Sequence, residues 1–194
     1  MSLLELIGRA DERALAAGAL ACLDRCLPLL GGSAGPQPLR PLWASCEDGR
    51  EWATRLAVAR AAVEGGAPVT DGPAVLVRAM FRAAPSDFAA TPLREWADAC
   101  SLAALRVHGG LDAPGEGPPR DEERLLELAR KGGPAAVGPL VAGELERQVR
   151  VLEVLAETGG TTGSGAGLRK ALDLSTEGRR ILCAVMSRRA RGRG

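Results

Sequence analysis

Residues 14–30 read ALAAGALACLDRCLPLL, and how that run is read decides the fold. Asp24 and Arg25 are its only charges, and every other position is apolar or small all the way round a helical projection. A surface helix keeps a polar face, whereas a helix without one belongs inside a protein. The run is therefore expected at the centre of the molecule, with other helices laid around it. Its two charges also argue against a membrane span, since no stretch of about 18 or more apolar residues in the chain is free of charge. Glu5, Asp11 and Glu12 precede the run where a secretory leader needs net positive charge, so no export signal is read there.

Working outward, residues 3–30 are read as one long helix, ended by Pro28 and Gly31-Gly32. Residues 33–41, with three Pro, form a connector. A second helix is expected from Trp43 to Val63, with Trp52, Leu56, Ala59 and Val63 at helical spacing and Gly65-Gly66 as its stop. Asp71-Gly72-Pro73 and Thr91-Pro92 are helix-start signals, because Pro in the first turn lacks an N–H that had no partner anyway. The third helix carries Leu76, Met80 and Phe81; the fourth has Leu93, Trp96, Ala97, Cys100, Ala104 and Val107 on one face.

Four Gly and three Pro between His108 and Arg120 predict a hinge at residues 109–119. A short helix over 121–130 and a longer one over 134–157 complete a helical body at 1–157. Residues 158–167, with five Gly and three Thr, read as a flexible linker. The basic C-terminal segment 168–194 then reads as a helix over 168–172, a turn at Asp173-Leu174 and a second helix over 175–189. The expected fold is thus all-α: a multi-helix bundle or irregular helical array with a tethered C-terminal helical hairpin.

Composition supports that class. Of 194 residues, 34 are Ala, 28 Leu and 23 Arg, whereas Ile occurs only at positions 7 and 181 and Tyr is absent, so strand formers are scarce. Net charge is +1, but residues 1–167 hold 17 basic against 22 acidic side chains, or −5, and residues 168–194 hold 8 against 2, or +6. A segregated basic end suits a polyanion such as nucleic acid or an anionic membrane, its own acidic body if it folds back, or the acidic body of another copy. Arg outnumbers Lys by 23 to 2, which reads as a GC-rich coding bias and weakens any argument built on arginine alone.

The chemistry available is limited. With one His, no Tyr and no Asn, the chain lacks the means for a His-rich metal site or a Tyr-dependent acid. His108 precedes Gly109-Gly110 and is expected at a helix end, capping it or exposed to solvent. Cys22 and Cys26 at i,i+4, with Cys46 and Cys100, are weighed as a thiolate metal site and read instead as reduced core thiols in a cytoplasm. Glu47, Asp48 and Glu51 are weighed as an acid–base or cation-binding group and read as partners of a helix N-terminus. Gly159 to Gly167 lacks the G-K-[ST] of a phosphate-binding loop. No catalytic residue, metal or cofactor is assigned.

The leading expectation is a non-catalytic cytoplasmic helical adaptor or regulatory protein that binds a protein partner through an apolar groove. The alternative is a DNA-binding regulator whose terminal hairpin acts like a helix-turn-helix. In that reading Ser175 caps the second helix against a phosphate, Arg179 and Arg180 face outward, and Arg188, Arg189, Arg191 and Arg193 add phosphate contacts. A helical metal-dependent enzyme using Glu47, Asp48 or Glu51 is the third, and it requires those carboxylates buried in a pocket.

Overall fold

Helix α2 (Glu12–Cys26) sits where its composition requires, with all but Glu12 and Gly18 buried. The computed structural model describes residues 1–31, 39–64, 72–112, 121–133, 135–159 and 164–192, the side chain of Ser164 excepted, and these are all-α with no strand. Helices α5 (Pro73–Ala83), α6 (Ala90–Asp112), α8 (Pro139–Glu157) and α9 (Ser164–Arg191) pack directly on α2. Its small residues allow that: Ala16, Ala17 and Ala19 are fully covered, and Leu15 and Leu20 fill the gaps. Each such leucine contributes about 1.5–3 kcal/mol by leaving water.

The expected first helix is two. Helix α1 (Leu3–Arg9) opens on a capping box, Ser2 with Glu5, and ends at an extended Ala10. Asp11 then caps α2, its carboxylate accepting the Ala14 N–H at 2.8 Å. An aspartate that captures a backbone N–H three residues on starts a helix rather than continuing one. Beyond Cys26, Pro28 tightens the chain into a single 3-10 turn, Leu27–Leu30, closed by Gly31.

The expected second helix is also two, α3 (Arg40–Ser45) and α4 (Trp52–Glu64). The break falls at Gly49 and Glu51, with φ of 73° and 57°, and the Phe88 ring lies where a Gly49 side chain would stand. Phe88 and Trp96 meet Trp52 edge-on, with ring centroids 5.4 and 5.8 Å away. The Trp52 indole N–H donates to the Pro85 carbonyl and that of Trp96 to the Met80 carbonyl, at 2.8 and 2.9 Å. These two buried tryptophans therefore keep their one polar atom satisfied, unlike buried Trp43, whose Nε1 meets no partner among the described residues. The Gly72-Pro73 start of α5 is as expected. The Gly65-Gly66 stop and most of the 33–41 connector lie outside the described residues.

The expected hinge is partly helix. Helix α6 continues through Gly109 and Gly110 to Asp112, and residues 113–119 lie outside the described ones. Gly109 stands where α6 meets Glu122 of helix α7 (Glu122–Arg130) and Val141 of α8, and a Cβ there would displace the Glu122 carboxylate. A small residue here permits close approach rather than ending the helix. His108 is consequently buried inside the helix, about one turn before its end, and not exposed.

The C-terminal hairpin is replaced by one helix. Helix α9 runs unbroken through Asp173 and Leu174, and residues 164–167 of the expected linker are its first turn, while 160–163 are not described. The reason lies in its spacing: Leu168, Ala171, Ser175, Gly178 and Leu182 are buried at alternating steps of three and four. Such a stripe is a helical seam, and only a continuous helix keeps it on one face. Through it the segment docks on α2 and α8 rather than hanging from a tether.

Arginines and an aspartate close helix ends across the fold. Arg13 of α2 donates to Thr158 Oγ1 at 3.0 Å and to the Leu155 carbonyl at the end of α8. Arg60 of α4 donates to the carbonyls of Phe81, Arg82 and Ala84 at the end of α5, and Arg189 of α9 to Gly110 and Leu111 near the end of α6. Asp112 accepts the Leu140 and Val141 N–H groups that begin α8, both at 3.0 Å. Terminal carbonyls and N–H groups have no intrahelical partner, so these side chains fasten one helix to the end of another.

Candidate functional site

The two charges of the central run lie at the centre of the buried polar chemistry. Arg25 grips Glu144 of α8 with two bonds, Nε to Oε2 at 2.8 Å and Nη2 to Oε1 at 2.6 Å, and both side chains are fully buried. Gln148 Nε2 donates to Glu144 Oε1 at 2.9 Å, and its Oε1 accepts from Ser101 Oγ at 2.6 Å. His108 Nδ1 bonds the Ala104 carbonyl at 2.8 Å while Nε2 stands 3.8 Å from Glu144. Burial alone would raise the Glu144 pKa; the Arg25 charge and hydrogen bonds outweigh it and hold the carboxyl below its ordinary range. Burial likewise works to lower the Arg25 pKa, and Glu144 overrides it upward.

Asp24 faces the opposite neighbour. Ser175 Oγ donates to its carboxylate at 2.9 Å, with the Ala21 carbonyl at 3.2 Å as a second acceptor within reach, and Arg179 donates to Asp24 at 3.2 Å. Gly178 lies between these residues, and a Cβ there would strike the Arg25 and Arg147 side chains. The adjacent pair Asp24-Arg25 therefore pins α9 with one residue and α8 with the other.

This accounts for part of the expected nucleic-acid set. Ser175 is fully buried, Arg179 is tied to Asp24, and Arg189 caps α6. Arg180, Arg188 and Arg191 stay exposed on the far side of α9, and Arg193 lies outside the described residues. The geometry brings the first three onto the body and the next three together on the outside.

The other candidates do not converge. Glu47, Asp48 and Glu51 are all exposed, Asp48 paired with Arg50 and Glu51 with Arg55. Cys22, Cys26, Cys46 and Cys100 are buried free thiols, and burial pushes the Cys22 thiol up to about 12 and the others upward too. Among the described residues no group of three or more His, Cys, Asp or Glu is placed to hold a metal, and no helix is long and apolar enough to cross a membrane.

The outer face of α5 carries a feature that was not singled out from sequence. Val75, Arg78, Ala79, Arg82 and Ala83 line an open depression of about 440 Å³, with Val75 40% exposed. Its apolar row, Val75, Ala79 and Ala83, is spaced by four, a legible signal that is easily taken for core. The core face of α5 is instead Val77, Met80 and Phe81. The fold and these sites define an all-α protein with a buried ion-paired interior and an exposed apolar row on α5 flanked by arginine; among the described residues α4 also exposes Ala53, Ala57, Val58 and Ala61, away from that depression. Comparison with known protein families, with curated proteins and with solved structures finds no match to this chain.

Proposed function

We propose that the protein is a non-catalytic helical adaptor or regulator that recognises a protein partner along α5. The observation that carries this reading is the row Val75, Ala79 and Ala83, left in solvent one turn apart and bordered by Arg78 and Arg82. Groove-binding helices use anchors at that spacing, and the exposed Arg82 favours a carboxylate beside the anchors. The fitting occupant is an acidic amphipathic helix of the partner. The buried thiols support a cytoplasmic setting, where such cysteines stay reduced.

Base readout by Ser175 and Arg179 would require both to leave Asp24 and strand a buried carboxylate, and carboxylate catalysis would require three exposed side chains to converge. Both alternatives therefore draw less support than partner binding. The test is affinity capture with the full chain, with Val75→Glu/Ala79→Glu and with Arg82→Glu. A protein retained by the first and lost from both variants at unchanged Tm is the expected result; capture indifferent to these substitutions overturns the reading.

A further inference from the structure

The geometry points to a second binding surface, on the outer face of α9, that takes the phosphate backbone of nucleic acid without reading its sequence. The cations of this helix sort into two rows. Arg179 and Arg189 turn inward to Asp24 and to the end of α6. Arg180, Arg188 and Arg191 turn outward, all exposed, and none makes an ion pair or side-chain hydrogen bond among the described residues. Arg180 and Arg191 are eleven residues apart, three turns, so they lie within about 20° of one line, with Arg188 on the same exposed half.

Acidic residues set the limits of this surface. Asp173 and Glu177 fall on the same exposed side and offset Arg169 and Lys170, whereas residues 178–191 contain no carboxylate. The positive stretch therefore begins at Arg180 and extends about 16 Å along the helix axis. One strand of a duplex presents about five phosphates over that length.

Two further observations choose the occupant. The apolar stripe of α9 is already spent on the body, and Ile181 is its only exposed large apolar side chain among the described residues. A helix that lies in a bilayer surface must bury an apolar face there, and this one has none free. Between the arginines stand Cys183, Ala184 and Ser187, with no Asn, Gln, Asp or Glu to pair adenine or cytosine, so the contacts fall chiefly on phosphates.

The experiment is fluorescence anisotropy of the full chain with two duplexes of unrelated sequence across a salt series. Neutralising three phosphates predicts a log–log slope of about −2.7, which is about a 40-fold loss of affinity between 50 and 200 mM salt, alike for both duplexes. Arg180→Ala/Arg188→Ala/Arg191→Ala should abolish binding, and the corresponding triple Lys variant should keep it with the same slope. Arg82→Glu should leave it unchanged, which separates this surface from the partner site on α5. Full binding by the triple Ala variant, marked preference for one duplex, or retention by phosphatidylserine–phosphatidylcholine vesicles in place of DNA would each overturn the proposal.

Discussion

Helices α2 and α5 are both rich in alanine and in leucine or valine, yet they carry their arginines to opposite ends. In α2 the guanidinium of Arg25 is drawn inside and held by Glu144, and every face of the helix is covered. In α5 the core face is narrow, and Arg82 stands in solvent beside a bare apolar row. The difference teaches that the buried polar groups of this protein serve architecture, while the proposed recognition would draw on its shell. If so, substitutions in α2 and its partners should change stability, and those in the exposed row of α5, Val75, Ala79 and Ala83, should change binding alone.

The largest effect should come from Glu144→Ala, which leaves Arg25 buried without its counter-charge. A loss of about 3–5 kcal/mol is expected in chemical denaturation. The same pair sets a pH dependence. Because the folded Glu144 pKa lies below the ordinary value of 4.5, its contribution is complete above that value and is lost as pH falls through the folded one. The stability gap between the wild-type chain and Glu144→Gln should accordingly be flat above pH 4.5 and narrow in more acid solution, as read by denaturant titration.

Next in size is Gly178→Ala. Alanine favours a helix over glycine by about 1 kcal/mol, but here the added carbon meets the Arg25 and Arg147 side chains. Overpacking of this kind costs about 1–3 kcal/mol, so a net loss with α9 loosened from α2 is expected, visible as faster amide exchange in α9. Ser175→Ala removes a hydrogen bond to a buried carboxylate that Arg179 still holds, and should cost about 1–2 kcal/mol. Val75→Glu/Ala79→Glu should fall within about 0.5 kcal/mol of the wild-type chain, as exposed substitutions do.

Much of this contrast was legible in the sequence, and the rest was hidden for physical reasons. An apolar run on all sides placed α2 at the centre, and Gly72-Pro73 announced α5. The 3–4 stripe from Leu168 to Leu182 was equally plain, but Asp173-Leu174 was read as a turn. Docking on α2 and α8 overrode that local preference, and Gly178 is used for close approach. The reading of arginine as a coding bias missed its use at helix ends, since Arg13, Arg60 and Arg189 find their carbonyls through the tertiary fold. Arg25 and Glu144 are 119 positions apart, and only a charge inside an apolar run hinted that a partner was needed. The α5 row was readable as periodicity, but whether a row is covered is decided by neighbours.

The claim that recognition lies on α5 is tested most directly by photo-cross-linking. A photoreactive amino acid would be placed at position 79 in the depression and, as a control, at exposed position 146 on α8. Irradiation of the full chain in its native lysate should yield a discrete adduct from position 79, absent from position 146 and lost when Arg82→Glu is added. Adducts of equal yield from both positions, or none from position 79, would contradict the account.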